Sequence, residues 1–265
     1  MIEMTTIRGR MTRRLLLTYR VDADAASRLI PAPFRSQLVD GSAVGGICMI
    51  ALADVRPGWV RPQIGVSTQN VAHRFAVEWD EGEQVRQGVY VTGRHSSALI
   101  PVIGGGRFFP GVQRRAQFEL DETDTRFRVR MSAPDAEVAA DVELTEDWDS
   151  SLFATMQEAS DFYRAGSIGW SPRRGGRGAE PLELTAETWS VHAGRVNQVA
   201  SSFFDALPPG AATFDSALVM RDLPVIWRRP EQTSPLTTGG VSSGATGGSH
   251  SRIDPAVPAG IVRSA

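Results

Sequence analysis

The chain has 265 residues, 42% of them hydrophobic and 22% charged, which suits one large domain with a sizeable core. A formal net charge of -2 lacks the basic excess that phosphate binding requires, so nucleic acid is not an expected partner. All 28 basic residues are arginine; with no lysine, no side-chain amine is available for imine chemistry. The only cysteine, Cys48, permits no intrachain disulfide and gives no sign of secretion. Cys48 sits in an apolar run and reads as a core residue. Met1 to Arg14 is polar and basic without an apolar stretch behind it. The longest apolar run, Ile47 to Ala53, is too short to span a membrane. A cytoplasmic protein is the expectation.

Strand formers dominate from the start. Leu15 to Val21 reads as a strand, and Asp22 to Ile30 as a short helix with an acidic start that stops before Pro31 and Pro33. Strands are predicted over Val44 to Val55, Ile64 to Trp79 and Val85 to Thr92. Ser97 to Ile103 is a short apolar helix or turn. Val112 to Leu120, Thr125 to Met131 and Ala136 to Leu144 follow as strands. Arg126, Arg128 and Arg130 alternate with Phe127 and Val129, giving one wet and one packed face. Ser151 to Arg164 has helical spacing through Leu152, Phe153, Met156, Ala159, Phe162 and Tyr163. Ser171 to Glu180 reads as a flexible connection. Leu182 to His192 is a strand, Asn197 to Ala206 a further helix candidate, and Ala217 to Arg221 and Pro224 to Trp227 are strands. From Glu231 the chain turns to Gly, Ser, Thr and Pro, which cannot bury enough surface to offset ordering entropy. The expected organisation is a domain over 1–230 and a disordered tail over 231–265. Strands with scattered helices suggest a mostly β, α+β fold with an antiparallel sheet or barrel.

Familiar motifs give little. Gly240-Val241-Ser242-Ser243-Gly244 matches a nucleophile-elbow pattern but lacks the flanking strand and helix that the chemistry needs. No dinucleotide fingerprint, P-loop or zinc signature is present, so neither cofactor nor metal is expected. Strand parity carries more information. It sets Gln113, Arg115, Gln117 and Glu119 on one face, and Arg114, Ala116, Phe118 and Leu120 on the other. An arginine on the apolar face either pairs with a carboxylate, snorkels out, or lines a polar cavity. The same parity groups His73 with Val71, Phe75, Val77 and Trp79, and groups Arg74 with Asn70, Ala72, Ala76 and Glu78. His73 is either a satisfied core histidine or a general acid–base, since its ordinary pKa lies near neutrality. Arg94 and His95 end a strand, where loops assemble sites. Arg13 and Arg14 open the first strand, and one of the two must face inward.

Gly106-Arg107-Phe108-Phe109-Pro110-Gly111-Val112-Gln113-Arg114-Arg115 resembles, without a gap, the stretch of acetoacetate decarboxylase that carries its paired lysines. Arg114 and Arg115 fall on that pair. Thr18 to Ala25 followed by Leu29-Ile30-Pro31-Ala32-Pro33 resembles the same family's early strand–helix–Pro-x-Pro stretch. Asn70 to Trp79, Gly88-Val89-Tyr90, Gly105 to Gly111, Ser201 to Asp205 and Asp215 to Leu223 resemble an uncharacterised branch of the superfamily, a domain of unknown function. The resemblance implies a closed, mostly antiparallel β-barrel with flanking strands and a few helices, an internal pocket and an oligomer. The family's pocket glutamates have no acidic counterpart at Gly46-Ile47-Cys48 or Trp59-Val60-Arg61. Its pocket arginine falls near Thr12, beside Arg13 and Arg14.

The resulting expectation is a cofactor-independent lyase or isomerase acting on a small anionic or carbonyl-containing metabolite. Arg114, His73 and His95 are the candidate catalytic residues. Arg115, Gln113, Arg94, Arg13 and Tyr90 are candidates for substrate binding. Decarboxylation through a Schiff base is not available. A non-catalytic binding barrel and a catalytically dead structural homologue remain as alternatives.

Overall fold

The structure is a computed structural model that describes residues 6–61, 65–98, 109–173 and 178–230. It opens with β1 (Thr6–Val21), α1 (Ala23–Ser27), β2 (Arg35–Ser36), β3 (Leu38–Val39), β4 (Ser42–Pro57), β5 (Val66–Glu81) and β6 (Gln84–Ser96). It continues through β7 (Gln113–Arg115), β8 (Gln117–Glu122), β9 (Arg126–Ala133), β10 (Ala136–Thr145), α2 (Met156–Ala165) and β11 (Ile168–Pro172). β12 (Ala179–Ala186), β13 (His192–Ser201), α3 (Ser202–Asp205) and β14 (Ala212–Arg228) complete it.

β1, β4, β5 and β6 pair antiparallel in that order. β6 then pairs with β11 in parallel, β11 with β12 and β12 with β14 antiparallel, and β14 with β1 over nearly its whole length. From β14 the sheet also continues through β13, β10, β9 and β8. The fold is mostly β, as expected, with the parallel pairings β6–β11 and β6–β7 set into an otherwise antiparallel sheet.

The long strands carry apolar residues on both faces, because both faces are covered. On one face Leu15, Leu17, Met49, Phe75 and Trp79 pack against the layer of β9 and β10, together with Trp170 and Phe204. On the other face Leu16, Cys48, Leu52 and Met220 pack against Leu152, Phe153, and Ala159 and Tyr163 of α2. Thr155 caps α2 by accepting from the Glu158 N–H. Asp215 anchors the segment before it. It is the extra residue where Thr18 pairs Ser216 while Tyr19 pairs Phe214. Its carboxylate accepts from the Ser151 and Leu152 N–H groups and from the hydroxyls of Ser150 and Ser151.

Several elements differ from expectation. Asn197 to Ser201 belongs to β13, and only α3 is helical. β13 lies between β10 and β14, and those ladders override the local helical spacing. The predicted loop at Ser171 to Glu180 begins inside β11 and ends inside β12; 174–177 lie outside the described residues. The predicted strand Val112 to Leu120 breaks at Ala116, whose N–H donates to the Ser96 carbonyl. β14 runs unbroken through Pro224. Most of the helix expected over Ser97 to Ile103, and the tail from Glu231, lie outside the described residues. Among the described residues no helix is long and apolar enough to cross a membrane.

The β6–β11 seam depends on Gly88. A Cβ there would lie 2.5 Å from the Ile168 carbonyl oxygen and 3.0 Å from the Trp79 ring. Gly88→Ala is expected to destabilise the protein by about 2 kcal/mol or more through overpacking. Gly93→Ala on the same strand meets nothing within 4 Å and provides the control. Urea denaturation of the two variants measures the difference.

Candidate functional site

The face covered by α2 holds a cavity of about 380 Å³. Arg14 of β1, Cys48 of β4, Arg74 of β5, Arg94 of β6 and Tyr163 of α2 line it, with Leu182, Leu184 and Trp227 among its apolar walls. Glu183, Glu187 and Arg164 also border it. Parity explains most of this set. Cys48 lies opposite Ala72 and Leu16, and Gly46 lies opposite Arg74, so Cys48, Ala72 and Arg74 share a face. Arg94 needs one further step. Arg74 pairs with Val91, but His73 pairs with Gly93, so Thr92 is an extra residue in β6. That bulge shifts the alternation by one, turning Arg94 to the cavity and His95 to the other face.

The three arginines are held without carboxylates among the described residues. Arg14 Nε donates to Cys48 Sγ at 3.3 Å, and its Nη1 approaches Met220 Sδ at 3.9 Å. Arg74 is 7% exposed. Its guanidinium lies 4.9 Å from the centre of the Tyr163 ring, a cation–π contact. Arg94 donates through Nε and Nη2 to Ser171 Oγ at 3.2 and 3.0 Å. Burial lowers the pKa of Arg74 and brings that of Arg94 down to about 10, which still leaves Arg94 cationic at neutral pH. Burial raises the pKa of Tyr163, whose hydroxyl is 2.6 Å from Thr18 Oγ1. For Cys48, burial pushes the thiol pKa up, but the charges of Arg14, Arg74 and Arg94 and the Arg14 hydrogen bond outweigh it, so the net direction is down.

The other residues singled out in the sequence lie elsewhere. His73 is buried on the opposite face of β5, with Nε2 3.0 Å from Ser201 Oγ and its ring against Phe203. Arg114 and His95 meet at Asp135. Arg114 Nη1 is 3.1 Å from one carboxylate oxygen and His95 Nε2 is 3.2 Å from the other. The Arg114 side chain is 50% exposed, so its apolar-face parity ends in a surface ion pair. A smaller hollow of about 100 Å³ lies between Arg94, Arg114, Gly111 and Ser171. Arg13, 2% exposed, donates to Gln69 Oε1 and pairs with Glu122, tying β1 to β5 and β8. Tyr90 packs in the aromatic cluster of Phe34, Trp79 and Trp170. Gln113 is half-buried and Arg115 exposed. Arg94 alone of the sequence candidates lines the cavity beneath α2. Of the others, Arg14 is one of the pair from which the sequence requires an inward-facing residue, whereas Arg74 falls on the more polar face of its strand by parity, and Cys48 and Tyr163 read as apolar-run and helix residues without a site signal. Among the described residues no cluster of His, Cys, Asp and Glu is placed to hold a metal ion.

A sequence model of DUF2071, described as an uncharacterized conserved protein, matches residues 8–207. The chain belongs to this family. No curated protein matches it. Among solved structures, the DUF2071 chain is similar to an acetoacetate decarboxylase-like enzyme from Sphingomonas wittichii RW1, with a TM-score of 0.53 and 11% identity over 86% of this chain and 91% of that one. It is also similar to an acetoacetate decarboxylase from Legionella pneumophila, with a TM-score of 0.53 and 10% identity over 84% of each chain. The enduracididine biosynthesis enzyme MppR, complexed with pyruvate, gives a TM-score of 0.51 and 13% identity over 83% of this chain and 87% of that one. At such identities these likenesses establish the acetoacetate decarboxylase-like fold of this DUF2071 protein and nothing finer.

Proposed function

We propose that this protein is a cofactor-independent enzyme that binds a small carboxylate-bearing metabolite in the arginine-lined cavity. One observation carries the reading: Arg14, Arg74 and Arg94 of the sheet all border a single cavity, and none of these three has a carboxylate partner among the described residues. Unpaired buried charge is costly, and an anionic ligand offsets that cost. Arginine also fits carboxylates in bidentate geometry. The strand ring from β1 through β14 is proposed to act as a closed barrel that keeps water from the ligand. Fixed guanidinium groups would stabilise negative charge developing on an enolate, and Tyr163 would supply a proton. Without lysine the chemistry proceeds without a Schiff base, as a lyase or isomerase reaction. That MppR, of similar fold, is complexed with pyruvate supports a small oxo acid as ligand class.

Thermal-shift measurement with pyruvate, acetoacetate and related acids, each set against its neutral amide, tests this reading. The acids should raise the melting temperature and the amides should not, with the shift following RT ln(1 + [L]/Kd). Equal effects of acid and amide, or no effect of any acid, would refute it.

A further inference from the structure

We infer that Cys48 is a nucleophile: its thiolate, paired with Arg14, adds to the unsaturated carbon of a small α,β-unsaturated carboxylate held by Arg74 and Arg94. The inference rests on the carboxylate-binding reading of the cavity. It begins with the pairing. Cys48 Sγ accepts from Arg14 Nε at 3.3 Å, and the other hydrogen-bond contact of that guanidinium among the described residues is the thioether of Met220, a weak acceptor. The thiolate is therefore the nearest available counter-charge for Arg14. The second observation is independent of the cysteine. Arg74 is 7% exposed and borders the same cavity, yet has no hydrogen-bond or ion-pair partner among the described residues. An unfilled cation thus faces the space into which the thiolate would react. The charges that outweigh the burial of Cys48 act in the same sense.

The step balances without an added reagent. The thiolate supplies the electron pair of a new C–S bond at the β-carbon. The π pair of the C=C bond moves onto the carbonyl oxygen, giving an enolate. The guanidinium of Arg94, fixed by Ser171 Oγ, stabilises that charge. Protonation of the α-carbon by the Tyr163 hydroxyl completes the adduct. Reversal removes that proton, restores the double bond and expels the thiolate. In a chain without lysine, a thiolate supplies the covalent chemistry that an amine cannot.

The test is intact-mass spectrometry of the full-length protein with two electrophiles, the anion acetylacrylate and the neutral ketone ethylideneacetone. Each rate is normalised to that of N-acetylcysteine. A single adduct is expected on the wild-type protein and none on Cys48→Ser. The normalised rate should favour the anion by roughly tenfold or more, as charge complementarity predicts. Arg74→Leu should still react with the ketone but lose the preference for the anion. If Cys48 reacts only after unfolding in guanidinium chloride, or shows no preference for the anion, the inference is overturned. The pyruvate thermal shift separates the two readings. A retained shift without adduct overturns the nucleophile alone, and loss of both overturns the carboxylate site as well.

Discussion

Arg74→Leu is expected to melt higher than the wild type and to bind carboxylates about a hundredfold more weakly, a loss of about 3 kcal/mol typical of a charge-assisted bond. The two effects have one cause. Arg74 is buried among Ala72, Cys48 and the Tyr163 ring and lacks a carboxylate among the described residues. In the ligand-free protein its charge is a desolvation cost, offset in part by the aromatic contact and by Cys48. Leucine removes that cost and adds apolar surface to a face that already holds Leu182 and Leu184. The gain should be about 1 kcal/mol, or roughly 2–4 °C in melting temperature for a domain of this size. With saturating carboxylate the order should invert, because the wild type gains more linkage stabilisation than the hundredfold weaker variant. A structural arginine would give the opposite signature, with Arg74→Leu melting lower in the absence of ligand. Calorimetry of both proteins with and without pyruvate distinguishes these outcomes.

Periodicity in the sequence was enough to locate most of the strands and the long helix, because those segments bury regular patterns. Ser151 to Arg164 carries its apolar residues at helical spacing, and α2 forms there over Met156–Ala165. The parity of β5 was likewise legible: His73 and Arg74 do lie on opposite faces, each of them buried. What parity could not supply was which face holds the cavity. Both faces of β5 are covered, so an apolar face and a ligand-facing face look alike in one dimension. The more apolar face, with His73, Phe75 and Trp79, packs against the second layer of strands. The cavity lies on the side of Ala72 and Arg74. Arg94 was legible as a strand-end residue, but its orientation depends on the bulge at Thr92, and a single inserted residue leaves no mark on composition. The helix expected over Asn197 to Ala206 falls partly in β13, because Val199 with the following Phe203 and Phe204 suits a helix as well as a strand. Only the pairing of β13 with β10 and β14 decides between them.

His73 gives the second large expected effect, a loss of stability as the solution is acidified from neutral toward pH 4. Burial, followed by the neighbouring His95, lowers the His73 pKa from 6.5 to about 4, with Asp135 opposing. The folded protein therefore keeps the ring neutral, while the unfolded chain takes up a proton near the ordinary value. Between those two values the unfolded state binds more protons, so stability falls as the pH falls. The stability that His73 contributes is fully present above about pH 6.5 and is lost as the pH passes down through about 4. Integrated over that window the effect is about 3 kcal/mol, at 1.36 kcal/mol per unit. His73→Phe should flatten this part of the profile. It should also lower stability at neutral pH by about 1 kcal/mol, because Ser201 Oγ loses its partner at 3.0 Å. Urea midpoints of both proteins across the acid range measure the difference, and carboxylate titrations common to both cancel in the comparison. An unchanged slope in His73→Phe would show that the folded ring takes up its proton in the same pH range as the unfolded chain. A charged His73 beside Ser201 and Asp135 would then be a proton donor on the face away from the arginine cavity, and the acid–base role first suggested by its near-neutral ordinary pKa would have to be sought there.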